Sequence, residues 1–325
     1  MGRTTFQGCI WRVAALIRAP ACLWRSCRAG SLPIAWIRIA PCPSPHRVQH
    51  HVARLAELSH GNRGKAWRPG LETAYGRSPF LTYWITRALR QRLTRHFASV
   101  QWSGHKPDAS LASGILFYSN HPGWWDPALF ALLQSHFMPG RPGFGPIDAR
   151  TLKRYPTLNR AGFLPLDPSS HGSLRHFLHQ SVAILKSGGV FWVTAQGQFT
   201  DVRLRPVRLK SGLAHIASQA TDCVIIPVAI EYAYGSESRA EVFIRFGQPM
   251  PHSSLPGSLK ANHAFLEDAL EATQDALAAD VITRDHARFR LLIEGRSGMG
   301  GLYAQLQKLS SLMRREKHDP RHAGR

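Results

Sequence analysis

A chain of 325 residues with 44% hydrophobic content is long enough for one large domain or two small ones, and suits a globular protein with a substantial core. The formal net charge of +21 is uneven: residues 1–100 carry sixteen Lys and Arg against two acidic residues, Glu57 and Glu72, so the body is only mildly basic. This spread argues against a strongly basic active site and for an anionic surface, membrane or nucleic acid, as partner.

Residues 1–70 read as a disordered basic extension, with no acidic residue before Glu57, scattered Arg and Pro, and little periodicity. Within it "CIWRVAALIRAPACLW" (9–24) is broken by Arg12, Arg18 and Pro20, so it suits neither a membrane span nor a signal peptide. The composition is transit-peptide-like, and the reading taken here is sequence upstream of a mis-assigned start. Cys9, Cys22, Cys27 and Cys42 form no C-x-x-C pair, and Cys223 stands alone in an apolar run. Neither a disulfide framework nor a zinc ribbon is indicated, and a reducing cytoplasm is the expected compartment. Histidines 46, 50, 51 and 60 lie among Pro, Arg and Gln without H-E-x-x-H spacing, so no metal is expected.

An amphipathic helical element is expected within 71–105. In "SPFLTYWITRALRQRLTRHF" the residues Phe80, Leu81, Trp84, Ile85, Ala88, Leu89, Leu93 and Phe97 keep a helical stripe, with Arg87, Arg90, Arg92 and Arg95 elsewhere. Ser78 and Pro79 make an N-cap and N1 pair. Such a helix either lies on an anionic bilayer or packs its stripe on the domain.

Residues 106–255 alternate strands and helices. "GILFYSN", "AGFLPLD" (161–167), "VFWVT" (190–194), "CVIIPVAIEYAY" and "AEVFIRFG" read as strands. "PALFALLQSHF", about 173–187 and about 209–220 read as helices, with Gly188 and Gly189 ending the second. The pattern predicts an α/β fold with a mixed, partly parallel central sheet flanked by helices. Residues 256–325 read as a helical region interrupted by "EGRSGMGG" (294–301), a turn rather than a nucleotide loop.

The segment "SNHPGWWDPALF" (119–130) joins the first of these strands to its helix. Asp126 before Pro127 suits an N-cap, and His121 suits a loop histidine bonded to backbone. The same turn also brings His121 and Asp126 within reach at the carboxyl end of a strand, where α/β proteins place their sites. One carboxylate oxygen would cap the helix while the other accepts the imidazole Nδ1–H, leaving Nε2 as a base for an alcohol proton. Trp124 and Trp125 read as packing residues.

N-H-x-x-x-x-D after an apolar strand resembles the signature of the glycerolipid (lysophosphatidic acid) acyltransferase superfamily. "AGFLPLD", "WVTAQGQFTD" and "VIIPVAI" resemble its next three blocks in order and approximate spacing, so the resemblance covers roughly 115–232. It implies an O-acyltransferase with His121 as general base toward an acceptor hydroxyl and Asp126 as its orienting partner. Acyl-CoA or acyl-acyl-carrier protein would donate the acyl group, with no further cofactor, and Cys223 would not act as a nucleophile. Backbone N–H groups around Gly197 would stabilise the oxyanion, and Asn120, Gln196, Gly197, Arg175 and Arg203 are the substrate-binding candidates. The expected partners are a lipid acceptor and an anionic membrane surface, with the enzyme cytoplasmic and peripherally membrane-bound.

The departures from the family pattern concern the acceptor. Pro168 follows Asp167 where an arginine is typical, and Ala195, Gln196 and Phe199 replace Pro, Glu and Arg of the third block. Losing two guanidinium partners for a phosphate points to an acceptor without a glycerol phosphate, such as a glycolipid, a carotenoid glycoside or another lyso-lipid. Arg175, Arg203, Arg205 and Arg208 either substitute for them or are solvated loop charge. A nucleic-acid-binding protein is the alternative from charge, but the body has no groove-reading basic helix or aromatic RNA-binding pattern. An α/β hydrolase lacks its G-x-S-x-G here, and a silent lipid-binding relative remains a further alternative.

Overall fold

The computed structural model describes residues 75–108, 114–235 and 237–295, all within one unit spanning Gly64–Arg325. The expected extension over 1–70, and the glycine-rich stretch after its first two residues, lie outside the described residues.

Helix α1 (Pro79–His96) starts where Ser78 and Pro79 place it, with Ser78 Oγ accepting the Leu81 N–H at 3.3 Å. The two halves of its apolar stripe meet different environments. Leu89 packs on the core and Leu93 and Phe97 are buried, whereas Phe80, Tyr83 and Trp84 are 73%, 59% and 50% exposed.

The strands are β1 (Ser99–Gly104), β2 (Gly114–Ser119), β3 (Gly143–Asp148), β4 (Phe163–Leu166), β5 (Val190–Thr194), β6 (Cys223–Ala233), β7 (Glu241–Phe246), β8 (Met250–Pro251) and β9 (Arg290–Glu294). Between them lie α2 (Asp126–Phe137), α3 (Ala149–Arg154), α4 (His171–Lys186), α5 (Gly212–Gln219) and α6 (Leu259–Thr283). The strand order is β4-β3-β5-β2-β6-β7-β1-β9, with β8 beside β6. The first five run parallel, β7 turns antiparallel to β6, β1 follows β7, and β9 reverses again. This is the mixed, partly parallel sheet with flanking helices that the alternation predicts.

Burial on both faces explains the continuous apolar runs of the central strands. In β2 the alternation assigns Leu116 and Tyr118 to one core, with residues of α4, α5 and α6, and Ile115 and Phe117 to the other, with α1 and α2. All six residues of β2 are buried.

Four strands differ from the sequence reading, the shortest being the two-residue β8 beside β6. In β1 ("SVQWSG") polar residues alternate into a buried site, where Ser99 and Gln101 donate to the Glu241 carboxylate at 2.8 and 3.1 Å. β3 ("GFGPID") contains Gly and Pro that read as loop, yet pairs with β4 and β5. β9 lies inside the region expected to be helical; four of its five residues pair antiparallel with β1, a non-local partner that a short sequence window does not contain.

Candidate active site

The chain leaves β2 toward α2 on one face of the sheet, and leaves its neighbour β5 toward α5 on the other. Adjacent parallel strands whose connections diverge in this way open a crevice at their carboxyl ends. The HPGWWD turn and the long loop 195–211 meet there. Ala195 N–H donates to Ser119 O and Thr200 N–H to His121 O, both at 3.0 Å, so the second segment braces the first.

Within the turn, His121 Nδ1 lies 2.6 Å from Asp126 Oδ2. The carboxylate is fully buried and the imidazole 17% exposed. A carboxylate at Nδ1 makes that nitrogen the donor and leaves Nε2 unprotonated in the neutral ring. Asp126 does not cap α2 as expected. The helix begins at Asp126 itself, Trp125 holds the N-cap position, and no side chain caps the first turn. The carboxylate instead turns back over the loop: Oδ2 also accepts the Gly123 N–H at 3.3 Å, and Oδ1 accepts the Tyr232 phenol at 2.5 Å. Both oxygens are therefore engaged away from the helix ladder.

Tyr232 was not among the sequence candidates. Burial, followed by the adjoining Asp126 charge, pushes its phenol well above the ordinary value near 10, so it stays protonated and donates. Its ring stacks on Phe97 at 5.7 Å and 24°, and a Cβ on Gly123 would come within 3.3 Å of it. A visible signal was present: "IEYAY" interrupts the apolar run of β6 with polar residues at its carboxyl end, beside the strand that delivers His121.

The substrate-binding candidates separate. Asn120 is fully buried, and its side chain donates to Ile230 O and accepts from Ile230 N–H, both at 2.9 Å. It extends the β2–β6 ladder one step and is no binding-surface residue. Gln196 Oε1 accepts the His121 N–H at 2.8 Å and so fixes the histidine's backbone. Gly197 adopts φ 68°, the left-handed region that favours glycine, and its N–H donates to Thr194 O at 3.1 Å. That N–H closes a turn, so among the backbone groups around Gly197 its own is already engaged.

Arg175 is exposed in the second turn of α4. That helix follows β4, which is three places from β2, or about 14 Å at sheet spacing. Arg203 forks onto Asp201, with Nε and Nη2 at 2.9 and 2.7 Å. Arg205 binds Asp275 at 2.6 Å, and Arg208 lies 3.6 Å from Glu267. Glu267 and Glu271 also accept the Leu209 and Val207 N–H groups at 2.9 and 2.7 Å. Glu267, Glu271 and Asp275 are spaced by four along one face of α6, so they hold this loop as a row.

The place where the resembled family carries an arginine holds Phe199, whose ring centroid is 4.5 Å from that of His121. On the other side Trp125 meets Phe97 at 5.4 Å and His96 at 4.8 Å, and Trp124 meets Trp125 edge-on at 4.9 Å, the packing expected of both. Nearby, burial raises the Glu231 carboxyl while Arg203 opposes the shift. Cys223 is far from this chemistry: it pairs with Gly114 at the amino end of β2, and burial pushes its thiol up to about 12. Among the described residues no group of three His, Cys, Asp or Glu is gathered to hold a metal ion, and no helix is long and apolar enough to cross a membrane.

Residues 100–231, which contain this whole turn, match the family model described as Acyltransferase. No curated protein matches the sequence. The 1-acyl-sn-glycerophosphate (LPA) acyltransferase PlsC from Thermotoga maritima is similar in structure at 16% identity and a TM-score of 0.48, over 71% of this chain and 89% of that one. The matched segment ends one residue before Tyr232, and α6 lies wholly outside it.

Proposed function

We propose that this protein is an acyltransferase that moves a fatty acyl group from an acyl thioester, on CoA or acyl carrier protein, to a hydroxyl of a lipid acceptor. The observation that carries the reading is the 2.6 Å contact between His121 and the buried Asp126 at the carboxyl end of a central parallel strand. His121 Nε2 takes the acceptor's hydroxyl proton as its oxygen attacks the thioester carbonyl carbon. The tetrahedral oxyanion then collapses, the C–S bond breaks, and the imidazolium returns the proton to the leaving thiolate. Asp126 holds the ring and offsets its positive charge. The reaction needs no acyl-enzyme and no cofactor beyond the thioester.

The catalytic unit is assigned to 106–255, with 71–105 as the membrane-contacting element and 256–325 as support. The exposed cluster of Phe80, Tyr83 and Trp84, on a helix carrying Arg87 and Arg90, suits the interface of an anionic membrane and a peripheral location on its cytoplasmic side. Purified protein is offered radiolabelled acyl-CoA and a panel of lyso-lipids. His121→Ala should lose at least about 100-fold in turnover; unchanged activity in that variant would leave a lipid-binding relative as the better reading.

One observation favours a neutral acceptor. Phe199 lies against His121, and the guanidinium groups of Arg203, Arg205 and Arg208 are directed at Asp201, Asp275 and Glu267. An aromatic wall favours the apolar face of a sugar or lipid, whereas a phosphate dianion requires unspent guanidinium donors. Comparing lysophosphatidic acid with neutral hydroxylated lipids tests this, and turnover with lysophosphatidic acid alone would refute it.

A further inference from the structure

We propose that Tyr232 is a positioning residue for acyl transfer, completing a Tyr232–Asp126–His121 relay in which the phenol fixes the carboxylate that orients the base. The inference rests on the acyl-transfer reading above. Asp126 is fully buried, and among the described residues its oxygens are met by His121, the Gly123 N–H and the Tyr232 hydroxyl, the donors that hold a buried carboxylate in place. Those donors are divided by oxygen. Oδ2 receives His121 and the Gly123 N–H, while the Tyr232 hydroxyl is placed at Oδ1 at 2.5 Å. With Oδ1 held, the carboxylate plane is fixed and Oδ2 stays aligned with the imidazole. Without it, the carboxylate is free to rotate about its χ2, which is a broad torsion.

The phenol is itself held in place. Its ring lies between Phe97, stacked at 5.7 Å, and the Gly123 backbone, where even a methyl group would crowd it. Phe97 in turn contacts Trp125, the residue before the aspartate. Because the phenol stays protonated, it acts only as a donor. It touches neither the histidine nor any reacting atom, so its effect passes through Asp126.

Tyr232→Phe removes one oxygen and keeps both ring contacts. Assayed where circular dichroism shows the variant folded, it should lower kcat on the order of 10- to 100-fold, the loss matching one hydrogen bond to a charged group. KM for thioester and acceptor should stay within about twofold, since neither substrate loses a contact. In an Asp126→Asn background the same change should cost little more, because two parts of one relay do not add. The His121 Nδ1–H proton resonance in the folded protein should also move in Tyr232→Phe, a second readout that needs no turnover. An unchanged kcat, an unmoved resonance, or a loss that adds fully to that of Asp126→Asn would overturn the relay. If His121→Ala keeps full activity, the acyl-transfer reading falls instead, which separates the two failures.

Discussion

Asn120→Ala separates a structural from a substrate-binding role for the residue beside the histidine. The side chain joins the carbonyl and the amide of Ile230 at 2.9 Å each, at a site where Asn120 is 0% and Ile230 1% exposed. Truncation leaves one buried donor and one buried acceptor on the main chain of β6. An unmade buried hydrogen bond costs about 1–3 kcal/mol per group. Water reaching the small gap would recover part of this, so a net loss of about 2–5 kcal/mol is expected. Urea unfolding followed by tryptophan fluorescence should show a clearly lower midpoint, and turnover at a permissive temperature should fall through kcat as His121 loses its anchor. A variant that unfolds at the wild-type urea concentration and shows only a raised KM would refute the ladder role and restore Asn120 to the binding surface.

Three further outcomes follow from the same geometry. Maleimide should leave Cys223 unlabelled in the folded protein at pH 8 and label it in urea, since burial holds the thiol near 12; peptide mass spectrometry reads the site. Glu231→Gln should raise the melting temperature at pH 7. The folded-state carboxyl is raised by burial, so the native form of the wild type loses stability as pH rises through the range between unfolded and folded values, and the gain should vanish below the unfolded value. A paired Glu267→Ala and Glu271→Ala variant should be cut faster by trypsin after Arg203 or Arg208, because the acceptors of two backbone N–H groups and one ion pair that secure the loop are gone.

Much of the frame was legible because its signals are local or periodic. Alternating apolar strands and helices with Ser–Pro and Gly–Gly boundaries located α1, α4 and five strands to within a few residues. The His121–Asp126 proximity followed from a short turn between a strand end and a helix start. What escaped was set by distant partners. β9 exists because β1 offers an edge nearly two hundred residues earlier, and Ser99 and Gln101 are buried because Glu241 receives them. Asp126 looked like a cap because Pro127 follows it; the phenol of Tyr232, 106 positions away, outcompetes the helix amides for its oxygen. Arg203 and Arg205 stay open between phosphate ligands and solvated loop charge in the sequence because nothing there shows Asp201 and Asp275 as their partners.

The row of carboxylates on α6 has a bearing on how such an enzyme can be altered. Phe199, facing His121, is carried on a loop that is held by a helix lying beyond residues 100–231. Phe199 and the His121–Asp126 pair are thus mounted on separate supports. Changes along one face of α6 would shift the ring that faces His121 while leaving His121, Asp126 and the strand beneath them untouched, so the crevice can be reshaped from a position that an inspection confined to the HPGWWD turn would overlook.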